Sequence, residues 1–136
     1  MLKIGQRVIV KGRPTKGRSR YHGRNSSGNT YVYGIVNIDD DVYYQIDGYS
    51  THCLWCEESL QALYEYRYYD EPAFGLHDKV MTSTGVIKTV VAISRSTSGY
   101  QYVFDDLDEY DRVNLPGTYE CFLTLHRKHT VDYTLF

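Results

Sequence analysis

Ile4-Gly5-Gln6-Arg7-Val8-Ile9-Val10 and Leu76-His77-Asp78-Lys79-Val80-Met81-Thr82 share one pattern: an apolar residue, a spacer, a polar residue, a cation, and a run suited to a strand. Read outward from these two stretches in period two, nearly the whole chain breaks into short strands. The first set is residues 7–10, 31–38, 42–47 and 60–66; the second is 79–82, 85–93, 100–105 and 121–125. Asp39-Asp40-Asp41, Asp47-Gly48, Ser96-Thr97-Ser98-Gly99 and Pro116-Gly117 supply turns between them. Residues 57–66 hold a helix-like spacing at Leu60, Leu63 and Tyr64, but Tyr66, Tyr68 and Tyr69 favour strands. The expectation there is one short turn followed by a strand.

The two sets repeat one another. Gly34-Ile35-Val36 aligns with Gly85-Val86-Ile87, residues 44–47 with 102–105, and 58–63 with 120–125. Counting the opening strands, the offsets are 72, 51, 58 and 62, so the length differences fall in loops. An internal repeat of this kind decides architecture. The expectation is an all-β protein organised as residues 1–66 and 67–136, each half close to the lower size limit for an independent core.

The pattern resembles the SH3-like small barrels of the Tudor and KOW type, over most of residues 2–63 and 74–125. The quoted segments match that family's charged-apolar opening strand, Gly-Ile/Val-Val strand, aromatic strand ending in Asp, and Glu-bearing turn before a closing apolar strand. The resemblance implies two tandem barrels packed together, with residues 67–136 carrying the second barrel and the C-terminal tail. Short phage and bacterial proteins often read this way. In Tudor-like barrels, rings such as Tyr31, Tyr33, Tyr43, Tyr44 and Tyr49 can form a cage for methylated cations. The fold hosts many activities, so function has to be argued from side chains.

Charge is sharply segregated. The first eight charged residues are all basic, giving residues 1–38 a charge of +8; residues 39–136 hold 7 basic and 17 acidic side chains, or −10, and the total is −2. Such a dipolar chain points to a polyanionic or acidic partner at one end. The basic end is concentrated in a loop, residues 11–30, whose counterpart in the second half is only Ser83-Thr84. Lys11, Arg13, Lys16, Arg18, Arg20 and Arg24 stand there among four glycines and no carboxylate. A segment so poor in apolar residues is expected to stay mobile until a partner orders it. Guanidinium and ammonium groups on a Gly/Ser backbone suit phosphate, and Tyr21 and His22 suit stacking on bases. The bland alternative is a solvated loop held against the chain's own acidic patches.

Tyr64, Tyr66 and Tyr68 alternate with Glu65 and Arg67 and would line one face of a strand, as a stacking platform or as cement between the halves. Cys53 and Cys56 form a lone Cys-x-x-Cys that Cys121 and His126 could complete as a zinc set, but buried free thiols are the commoner use of cysteine. No metal or cofactor is expected. The acidic runs 39–41 and 105–111 lack the pattern of a calcium loop, and no phosphate loop, nucleophile elbow or zinc-protease motif occurs. The chain therefore reads as a non-enzymatic binding protein whose partner is nucleic acid or a nucleoprotein complex. The second class is a phage-encoded inhibitor, of the anti-CRISPR type, that blocks a host effector. Three cysteines, no apolar run long enough to span a bilayer and an N-terminus unlike a signal peptide predict a cytoplasmic protein without a membrane partner.

Overall fold

The computed structural model describes residues 1–21, 30–114 and 117–129. Its described residues form β1 (Gln6–Val10), β2 (Val32–Ile38), β3 (Asp41–Ile46), β4 (Leu60–Tyr66), β5 (Lys79–Met81), β6 (Ile87–Ser96), β7 (Gly99–Phe104), β8 (Thr118–Tyr119) and β9 (Thr124–Arg127). One short helix, α1 (Glu109–Asn114), and single 3-10 turns at Arg18–Arg20, Glu57–Ser59 and Glu120–Phe122 complete them. The protein is all-β in character, and every strand pairing among the described residues is antiparallel.

Strand pairing links β4 to β1 and β3 to β2, and the Arg7–Tyr31 bridge carries β1 onto β2. The later strands run β9-β5-β6-β7-β8. The two series meet where Gly34, Ile35 and Val36 pair with Ser94, Ile93 and Ala92. Turn chemistry explains the first hairpin: Asp39 and Asp40 have φ of 50° and 66°, a conformation that aspartate tolerates and that two-residue hairpins require.

Hydrogen bonds recur between the series. The Tyr44 hydroxyl accepts from the Leu2 N–H (3.1 Å) and donates to Glu57 (3.2 Å). The Tyr102 hydroxyl accepts from the Phe74 N–H (3.3 Å) and donates to Glu120 (2.5 Å). Gln6 accepts the Lys3 N–H at 3.0 Å, and Asp78 accepts the Gly75 N–H at 2.8 Å. These contacts correct two of the sequence alignments. Ile35 lies opposite Tyr44 and Ile93 opposite Tyr102, so Gly34 corresponds to Ala92, whereas Gly85 sits in the turn before β6. Glu57, and not Glu58, corresponds to Glu120. Identity matched the glycines; hydrogen-bond partners define the register.

The turn-then-strand expectation for residues 57–66 holds. The strand expected at 121–125 begins later, at Thr124, because Cys121 and Phe122 are in the 3-10 turn. The acidic run expected as a loop carries α1. There Asp108 Oδ1 accepts the Asp111 N–H at 2.9 Å, acidic residues fill the first turn, and Val113 is buried. Two apolar clusters hold the molecule. One joins Val8, Val32, Tyr44 and Trp55 to Val80, Val90 and Tyr102; the other joins Val36, Ile38 and Leu54 to Val91, Val103 and Val113. Residues on both sides of position 66 contribute to each.

The paired tyrosines make a pH prediction. Burial disfavours the phenolate and pushes the Tyr44 hydroxyl up to about 12; burial first, then the bond to Glu120, also raises Tyr102. The unfolded chain ionises near 10, so this contribution to stability is complete below about pH 10 and is lost as pH rises towards 12. Tyr44→Phe with Tyr102→Phe is expected to flatten alkaline unfolding followed by circular dichroism. At neutral pH each change should cost about 1 kcal/mol, because a backbone N–H loses its acceptor.

Candidate nucleic-acid interface

Through Tyr21 the basic segment is docked, which corrects the expectation of a free arm for this stretch. The Lys11 N–H bonds to Ser59 O at 2.9 Å, Thr15 and Lys16 N–H both bond to Leu54 O, and Leu54 N–H returns to Lys16 O at 3.0 Å. Pro14 is fully buried between these contacts. The Thr15 hydroxyl bridges to Cys56, accepting its N–H at 3.2 Å and donating to its Sγ at 3.3 Å. Gly17 adopts φ of +75°, and a Cβ there would lie 1.8 Å from His52 O, so only glycine lets the two backbones approach. After the 3-10 turn, Tyr21 stacks on Tyr49 at 6.0 Å and meets Trp55 edge-on at 6.5 Å. This ring packs on its neighbours and is half-buried.

Docking sorts the cations. Lys11, Arg13 and Arg18 are exposed, and Arg18 Nε donates to Pro14 O at 3.1 Å. Lys16 is held by Glu109 of α1 at 3.3 Å and lies 5.7 Å from the centroid of the Tyr43 ring. Its ammonium is raised above its ordinary value, chiefly by the hydrogen bond and charge of Glu109. Among the described residues of this loop, the bland alternative is thus realised at Lys16. Lys16, Gly17, Ser19 and His52 form one wall of a cleft of about 540 Å³, and Asp108, Glu109 and Tyr110 form the other. Arg20 lies in the 3-10 turn, while His22 and Arg24 lie outside the described residues.

The three alternating tyrosines divide. Tyr64 is 88% exposed and Tyr66 48%, so neither cements the two halves. Tyr68 does: its ring lies against Gly5 of the first half, where a Cβ would come within 2.8 Å of Tyr68 Cδ2, and on the second-half side the Arg95 guanidinium of β6 lies 4.1 Å from the ring centroid and bonds to Asp70 at 3.1 Å. The cysteines do not assemble a zinc set. Cys53 is buried, its thiol 3.6 Å from Gly17 O, Cys56 contacts Ser59, and Cys121 is exposed. Among the described residues no three of His, Cys, Asp or Glu converge as a metal site. Sequence reasoning passed over Glu109 and α1; the signal available was Asp108 as an N-cap before two first-turn acids.

No helix among the described residues is long and apolar enough to cross a membrane. Comparison with known proteins finds no matching family model, no matching curated protein and no matching solved structure.

Proposed function

We propose that the chain is a non-enzymatic, cytoplasmic binding protein built from two SH3-like small barrels of the Tudor/KOW type, which contacts nucleic acid or a nucleoprotein complex through its basic segment. The observation that carries this reading is the exposure of Lys11, Arg13 and Arg18 on a backbone pinned at Ser59 and Leu54. A docked segment loses less entropy on binding than a free arm, so its cations meet phosphate at lower cost. The recurrent Tyr–Glu hydrogen bonds support the duplicated-barrel part of the proposal.

Anisotropy titration of short labelled RNA and DNA strands tests it. Affinity should fall linearly on a log–log plot against salt, with a slope of about −2 to −3 for three phosphate contacts. Salt-independent binding, or none, would reject the phosphate role. A second reading rests on the exposed acids Asp105 and Asp108, which make no ion pair among the described residues, with Asp106 and Glu109 beside them already meeting Lys88 at 2.8 Å and Lys16 at 3.3 Å. Grouped beside α1, they offer a phosphate-like face to the nucleic-acid groove of a host effector, as a phage-encoded inhibitor of the anti-CRISPR kind would use. Capture of one effector from nuclease-treated lysate, lost on neutralising these acids, favours that reading.

A further inference from the structure

A cleft of about 680 Å³ lies where the two series of strands meet. Its floor is made by three corresponding pairs: Leu2 with Phe74, Ile4 with Leu76, and Ile35 with Ile93. All but Leu76 are buried, so the floor is part of the rigid core and does not depend on mobile side chains. The end of β4 and the segment after it form a wall, presenting Tyr66, Tyr68, Tyr69 and Ala73. The volume falls within the range of small-molecule sites, which favour apolar walls with a few polar groups.

The rim decides the chemistry. Lys3 is neutralised by Glu71 at 3.2 Å, and Asp70 by Arg95 at 3.1 Å. Lys128 also lines the cleft, is exposed, and makes no ion pair among the described residues. The site thus combines an apolar floor with one cation left over.

We infer that this cleft binds an amphipathic anion, an apolar body of small-molecule size bearing one carboxylate-like head that meets Lys128. The ligand's apolar portion covers the Ile35–Ile93 floor, and the tyrosine wall offers further apolar contact along one side. This site is separate from the basic segment and does not depend on nucleic-acid binding.

Calorimetric titration with octanoate, and with octanol as its uncharged counterpart, tests the inference. Saturable binding of octanoate is expected, tighter than that of octanol. Lys128→Glu should weaken octanoate about fivefold, the upper range for one exposed charge pair, and leave octanol unchanged. Ala73→Trp, at an exposed wall position, should fill the cleft and weaken both ligands by roughly tenfold or more through lost apolar burial, without altering oligonucleotide binding. Should Ala73→Trp disturb folding by circular dichroism, Tyr69→Ala serves instead: Tyr69 is fully exposed, and its loss should weaken both ligands. Absence of saturable binding, or wall variants that bind as the parent does, would overturn the site. Equal binding of octanoate and octanol, unaltered by Lys128→Glu, would overturn the anionic part of the ligand.

Discussion

Trp55→Ala is expected to destabilise the protein by about 3–5 kcal/mol, the range for truncating a fully enclosed large aromatic. Trp55 is the only tryptophan in the chain and is completely buried. It packs against Tyr49 at 4.8 Å and receives the edge of Tyr21 at 6.5 Å, so it joins the first-half core to the docked basic segment. Its backbone pairs in both directions with Tyr44, at 2.8 and 3.1 Å. A loss of this size is a large part of the roughly 5–15 kcal/mol that holds a typical domain. Urea unfolding followed by circular dichroism measures it, because the variant has no tryptophan fluorescence. Trp55→Phe separates shape from hydrogen bonding. The indole Nε1 has no hydrogen-bond partner among the described residues, so phenylalanine removes a buried donor while keeping much of the ring. Its cost should be less than half that of alanine. If both variants unfold at the parent's urea midpoint, Trp55 is not the anchor described.

The second large effect is on binding. Changing Lys11, Arg13 and Arg18 together to Ala should lower oligonucleotide affinity by about two orders of magnitude near 0.1 M salt. The log–log salt slope should flatten by about 0.7 to 0.9 for each contact removed. Stability should move by no more than about 0.5 kcal/mol, since all three side chains are exposed. Lys16→Ala is the internal control. Its ammonium already meets Glu109 at 3.3 Å, so its loss should affect binding less than loss of Arg13. Equal effects of Lys16→Ala and Arg13→Ala would show that Glu109 does not withhold Lys16 from the ligand.

Much of the local structure was legible because its causes are local. Short runs of β-branched and aromatic residues around Val8, Val36, Tyr44 and Val103, bounded by turn residues, report strands, since such side chains suit a pleated backbone. Asp39-Asp40 announced a hairpin because aspartate accepts positive φ. The turn at Glu57–Ser59 followed by a strand could also be read, and so could the segregation of charge.

Chain sequence by itself thus determined the all-β character, the order of strands and turns, and the sign of charge at each end. Tertiary structure alone decided the register in which the strands pair, the docking of the basic segment and the cleft between the series. Register depends on which carbonyl faces which N–H, and it sets Ile35 opposite Tyr44 and Ile93 opposite Tyr102. Docking depends on a partner distant in sequence: Pro14, Thr15 and Lys16 look like loop residues until Leu54 supplies the hydrogen bonds and the cover. The same is true of charge. Lys16 and Arg13 are alike in sequence, and only the approach of Glu109, from the other end of the chain, makes one of them occupied and leaves the other exposed. Alternation is a property of neighbours along the chain; availability to a ligand is a property of neighbours in space.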